Sequence, residues 1–261
     1  MRAAEDTADR DLLIEAAREA GRIALRHFGN DPEVWDKGDG QGPVTQADLD
    51  IDSMLRTTLR AARPDYGWLS EESADSPERL TRGRVFVIDP IDGTRAFIAG
   101  EDSFSHSLAV VEDGVPVAAA VFLPRKDRLY AAALGLGATR DGLPIAASGR
   151  GTLDGAEILG AKSNFNDHHW KNGPPPVTRR FVSSLAYRLA LVAEGAFDAM
   201  LTLRDAWEWD IAAGALLVTE AGGRAQTRRG ADLRFNNARP QVDGVVAGTR
   251  AVQSALLDRL A

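Results

Sequence analysis

Residues 85–94 read VFVIDPIDGT, a short apolar run that leads into two aspartates, Asp89 and Asp92, set around Pro90 and followed by Gly93 and Thr94. Aspartate, proline and glycine also make ordinary surface turns, so this stretch alone does not choose between a turn and a site. Other acids bear on the choice. Glu71 and Glu72 follow the short apolar stretch YGWL. Asp210 opens a strongly apolar segment, where it would also serve as a helix N-cap. Two unit charges 4 Å apart repel by roughly 4 kcal/mol at an effective dielectric of 20, so carboxylates that converge need a cation among them. The chain has no cysteine and four histidines, which leaves oxygen ligands and a hard cation: Mg2+, with Mn2+ or Ca2+ as substitutes. Gly93-Thr94 can open a short helix whose free N–H groups bind an anion. Cation and phosphate chemistry would then sit side by side.

The elements that must position these residues are legible in outline. Residues 8–28 carry apolar residues at helical spacing and predict a helix closed by Gly29-Asn30. The stretch 29–44 reads as a loop. A second helix follows from Thr45 until Pro64 ends it. Thr45 and Asp48 have the spacing of a capping box. Residues 84–88 read as a buried strand with Asp89 at its C-terminal end, where α/β sheets place ligand sites. Residues 103–134 read as three strands, the first two joined by Asp113-Gly114. The glycine-rich stretch 135–150 marks a boundary between an α+β half, 1–140, and an α/β half, 141–261, in one compact unit. In the second half strands are expected at 156–161, 196–203 and 243–248. Helices are expected at 183–195, capped near Ser183 or Ser184, at 210–223, and at the end of the chain. Residues 174–180 read as an extended connector.

The composition sets limits. Apolar residues make up 44% and charged ones 26%, an ordinary globular balance. The net charge of −7 argues against a nucleic-acid polymer as partner. The acidic start lacks the shape of a secretion signal, and no apolar run reaches the length of a membrane span. A cytoplasmic protein with no membrane contact is the expectation. His106 reads as structural, Trp207 and Trp209 as packing, and Arg179 and Arg180 as surface charge. His168 and His169 resemble a metal pair, but adjacent residues seldom face one way, so a surface loop is expected.

Taken together, Asp89-Pro90-Ile91-Asp92-Gly93-Thr94, then Trp209-Asp210, eleven residues, and Gly222-Gly223 resemble the two-part signature of the inositol monophosphatase superfamily. Glu71-Glu72-Ser73 is similar to the family's glutamate pair, Val44-Thr45-x-x-Asp48 to its early helix start, and Lys37 to a lysine ahead of it. The resemblance covers about residues 10–260. It implies a layered αβαβα sandwich and Mg2+-dependent hydrolysis of a phosphomonoester, often inhibited by Li+. It implies that Glu71, Asp89 and the Ile91 carbonyl hold one metal and that Asp89, Asp92 and Asp210 hold a second. A third, weaker metal lies near Glu71 in some members, and Glu72 is secondary. It further implies that Thr94 and Asp48 polarise the attacking water, that Gly93 and Thr94 grip the phosphate, and that the protein is a homodimer.

The substrate implied is a small phosphorylated metabolite. Inositol monophosphatases carry an acidic residue shortly before the second signature. This chain has Thr202 or Leu203 there, followed by Arg204. Arg95 and Phe97 resemble the bisphosphate nucleotidases, and Arg95 with Arg204 suits a second phosphate. A 3'(2'),5'-bisphosphate nucleotide such as 3'-phosphoadenosine 5'-phosphate is therefore the leading expectation, with inositol-1-phosphate next. Histidinol phosphate, fructose-1,6-bisphosphate and a non-catalytic sensor of phosphometabolites stay open.

Overall fold

A computed structural model describes residues 2–30, 33–36, 38 and 42–261. Lys37 lies outside the described residues. Helix α1 (Arg2–His27) begins earlier than its apolar spacing predicts. Its first turns bury Asp6 and Asp9 instead of apolar side chains, and both pair with the buried Arg84 at 2.7 and 2.8 Å. In the expected loop, strands β1 (Val34–Asp36) and β2 (Pro43–Thr45) pair antiparallel ahead of α2 (Gln46–Ala62).

Seven strands then form one sheet in chain order: β3 (Gly67–Ser70), β4 (Arg84–Asp92), β5 (Ser105–Glu112), β6 (Val115–Leu123), β7 (Arg128–Ala133), β8 (Ala138–Arg140) and β9 (Leu143–Pro144). Only β3 and β4 run parallel. Asp113 and Gly114 turn between β5 and β6 with φ of 51° and 79°, the left-handed pair a two-residue hairpin needs. One expectation is corrected here. Strand β4 does not stop at Ile88. It runs through the acidic motif, with Asp89 opposite Ser107, Asp92 opposite Ser105, and a register shift between them. Pro90 and Ile91 thus form a bulge inside a strand and not a turn beyond its end. The short helix α3 (Thr94–Ile98) follows directly.

The later elements are β10 (Glu157–Leu159), β11 (Thr178–Arg180), α4 (Leu185–Ala193), β12 (Ala199–Thr202), β13 (Ala206–Trp207), α5 (Glu208–Glu220), β14 (Arg224–Gln226), β15 (Gln241–Val242), β16 (Val245–Gly248) and α6 (Arg250–Arg259). A second sheet has the order β11-β10-β12-β16-β14, while β13 and β15 pair on their own. Strand β11 occupies the end of the expected connector, and β11, β10 and β12 are parallel. Helix α5 starts before Asp210, with Trp207 in the cap position, so Asp210 belongs to the first turn and is not the cap.

The layers follow from what packs on what. Helices α1 and α2 cover one face of the large sheet; α4 and α5 lie between the two sheets; α6 covers the far face of the second. This is an αβαβα sandwich. The large sheet reaches Pro144, near the expected boundary at 140. One apolar core nevertheless joins both halves, holding Val87 and Val121 with Leu189, Leu217 and Val245. Helices α4 and α5 approach closely at Gly214, where a Cβ would stand 2.4 Å from the Leu189 side chain. No described helix is long and apolar enough to cross a membrane.

Candidate active site

Three elements from distant parts of the chain bring acids to one place. Asp89 comes from β4, Glu71 from the residue after β3, and Asp210 from the first turn of α5. One carboxylate oxygen from each lies within 4.8 Å of the others. Asp89 is 1% exposed, and its Oδ1 is buried without a hydrogen-bond partner. Burial, then the charges of Glu71, Asp92 and Asp210, push its carboxyl well above the ordinary range. Burial and the charges of Asp92 and Glu71 do the same to Asp210, with Arg204 opposing. Burial raises Asp92 to about 6, against hydrogen bonds that favour its charged form. Those bonds reach Asp92 Oδ2 from Ser184 Oγ at 2.5 Å and from the Ala186 N–H at 2.6 Å. A buried carboxylate oxygen with no donor, ringed by other acids, fits a divalent cation with oxygen ligands.

The backbone beside the acids is shaped by one glycine. Gly93 has φ of 96° and caps α3. A Cβ there would meet the Phe104 backbone and Ser184 at 3.5 Å, on top of the strained φ. Thr94 Oγ1 lies 3.3 Å from Asp48 Oδ1 and 3.1 Å from the Ile91 carbonyl. Asp48 Oδ2 accepts from the Thr45 N–H at 2.8 Å and from Thr45 Oγ1 at 2.5 Å. Asp48 therefore has both of its expected positions, in the cap of α2 and beside Thr94. The bulge itself rests on His106, whose Nδ1 lies 2.5 Å from the Pro90 carbonyl.

The acids Glu71, Asp89, Asp92 and Asp210 and the start of α3 border a cavity of about 780 Å³. Of the residues expected from sequence, Glu71, Asp89, Ile91, Asp92, Gly93, Thr94, Arg95, Arg204 and Asp210 line it. Asp48 is fully buried and does not. Arg179 and Arg180 stay on the exposed strand β11, as expected. Trp207 stacks on Trp209 at 4.7 Å, the expected packing, yet it also lines the cavity. His168 and His169 lie in a surface turn, as expected, but their rings come closer than adjacent residues usually allow. In the 3-10 turn Asp167–His169 their rings lie 3.9 Å apart, and His169 reaches the cavity wall. Sequence reasoning also missed Ser184 as the partner of Asp92, and it missed Arg188 on α4 and Phe181 in the wall. Ser184 carried a signal, because it was already a candidate helix cap. Arg188 carried none, since it stands inside an apolar helix.

Residues 7–261 match the inositol monophosphatase family. The chain is 34% identical to an inositol-1-monophosphatase of Mesorhizobium japonicum, over 95% of this chain and 94% of that one. It is 32% identical to a histidinol-phosphatase of Chlorobaculum parvum, over 86% and 87%. Among solved structures, the IMPase of Thermotoga maritima superposes with a TM-score of 0.82 at 28% identity, over 95% of this chain and 94% of that one.

Proposed function

The chain belongs to the inositol monophosphatase family and is a phosphoric monoester hydrolase, and from that premise we propose that it uses Mg2+ to hydrolyse a small phosphorylated metabolite. The observation that carries the Mg2+ is the partnerless, buried Asp89 Oδ1 in a triangle of carboxylates with Glu71 and Asp210. Glu71, Asp89 and the Ile91 carbonyl would hold one cation; Asp89, Asp92 and Asp210 would hold a second; a third would lie near Glu71. When bound, the cation supplies Lewis acidity and offsets the charge of the phosphate. The remaining work falls to the chain. The N–H groups of Gly93 and Thr94 at the start of α3 orient the phosphate. Thr94 Oγ1 passes a proton from the attacking water to Asp48 Oδ1, and Thr45 holds Asp48 in place for that. Ser184 and the start of α4 fix Asp92.

For the substrate we propose a 3'(2'),5'-bisphosphate nucleotide. This rests on Arg95 and Arg204 in the cavity wall and on the missing acid at Thr202 and Leu203. Inositol-1-phosphate is the second reading, favoured by the name of the Mesorhizobium relative. A cytoplasmic, Li+-inhibited homodimer completes the proposal. The test is phosphate release from 3'-phosphoadenosine 5'-phosphate, inositol-1-phosphate, histidinol phosphate and fructose-1,6-bisphosphate, with Mg2+ and with EDTA. Fastest release from the nucleotide, abolished by EDTA, is expected. Fastest release from inositol-1-phosphate would transfer the assignment to the second reading. Survival of every ester would replace the enzyme with a sensor.

A further inference from the structure

Arg188 has no part in the account above, yet it is a charged side chain only 6% exposed, and it lines the cavity together with Asp92 and Asp210. A buried guanidinium normally needs a carboxylate. Among the described residues Arg188 forms no ion pair. It donates only to carbonyls, from Nε to Val182 at 2.5 Å and from Nη2 to Ser183 at 3.2 Å. Those two bonds and the Phe181 ring, 4.6 Å from Cζ, fix the plane of the guanidinium. Its Nη1 has no hydrogen-bond partner among the described residues. Burial lowers its pKa to about 10, so it stays charged at neutral pH. Arg204 borders the same cavity, lies near enough for its charge to act on Arg188, and also forms no ion pair among the described residues. Arg188 feels the charges of Asp92 and Asp210, and Arg204 that of Asp210, but neither is in a direct ion pair among the described residues, and both face a space that opens on the acid cluster.

We propose that Arg188 and Arg204 form an anion subsite, so that the preferred substrate carries a second anionic group, phosphate or carboxylate, on the leaving side of the scissile ester. This rests on the phosphatase reading. Arg188 is the anchored member, because its fork is held before the ligand arrives. Arg204 is exposed and closes on the same group.

The test compares kcat/KM within two ester pairs that differ only in the second anion. These are adenosine 3'-phosphate against adenosine 3',5'-bisphosphate, and glycerol 2-phosphate against 2-phosphoglycerate. The first pair probes phosphate and the second carboxylate. In wild type the doubly anionic member of at least one pair is expected to lead by about ten- to a hundredfold, the range of charged hydrogen bonds. Arg188→Met and Arg204→Gln should each shrink that lead about tenfold, through KM, and Arg188→Lys should restore part of it. Arg188→Met also tests the fold. If it does not fold, Arg188→Lys and the exposed Arg204→Gln decide. No lead in wild type, or an undiminished lead in folded variants, would overturn the subsite. No release from any ester would overturn the phosphatase reading. Calorimetric binding of the same pairs with Mg2+ present would then decide the subsite by the same ratios.

Discussion

Asp89 and Asp92 bind protons in the folded, metal-free protein that the unfolded chain has already given up. A raised carboxyl stabilises the fold fully below its ordinary pKa, and that stability is lost as pH rises through the folded value. For Asp92 the window runs from 3.8 to about 6, an effect of about 3 kcal/mol. In EDTA the melting temperature should therefore fall as pH rises from 4 to 7, and Mg2+ should restore it at pH 7. Asp89→Asn removes a charge that has no donor at Oδ1. It should raise the EDTA melting temperature at pH 8 and abolish the gain from Mg2+. A wild-type gain from Mg2+ in this variant would show that the cation binds elsewhere. The proton path makes a separate prediction. Asp48→Asn should lower kcat by about 10²- to 10⁴-fold, the usual range for a lost general base, and leave KM nearly unchanged. A loss confined to KM would return Asp48 to its capping role alone.

At the scale of elements, the site depends on how β4 ends and how α4 begins. His106 is fully buried and its pKa falls to about 4 through burial, so it is neutral at pH 7. Its one described hydrogen bond holds the bulge at Pro90. His106→Phe keeps the aromatic packing and loses that bond, and chemical denaturation should show a cost of about 1 kcal/mol. An equal cost in catalysis alone would mean that the bulge does not need the bond to fold. Ser184→Ala removes both a helix cap and a donor to Asp92, so about 1–2 kcal/mol is expected together with weaker Mg2+ affinity. These links explain what the sequence could and could not show. The acids were legible because their residue types are unusual next to apolar runs. The bulge was not, because Asp-Pro-Ile-Asp-Gly is written in turn residues and only pairing with Ser105 and Ser107 makes it a strand. Arg188 was hidden because its setting, and not its spacing, gives it meaning.

Across the whole molecule, the acids converge because five layers stack with α4 and α5 in the middle. The main helices and the longer strands were readable from periodicity, whereas the αβαβα arrangement was implied by the family resemblance of the signature residues. The two polar straps that fix the layers were not legible. Arg84 ties α1 to β4 through Asp6 and Asp9, and Arg79 ties the segment after β3 to Asn236 and Asn237. Arg84→Met leaves the buried Asp6 without a cation and Asp9 with Arg63 alone, and should cost about 3–5 kcal/mol in a denaturation experiment. Gly214→Ala drives a methyl into Leu189, and overpacking of this kind costs about 1–3 kcal/mol. It should also weaken Mg2+ binding, since α4 and α5 would separate with Ser184 on one and Asp210 on the other. The most direct test of the account is anomalous scattering from crystals soaked in Mn2+. It predicts a peak bound by Glu71, Asp89 and Asp210. A map with no peak there, or with those three carboxylates turned into separate regions, would contradict it.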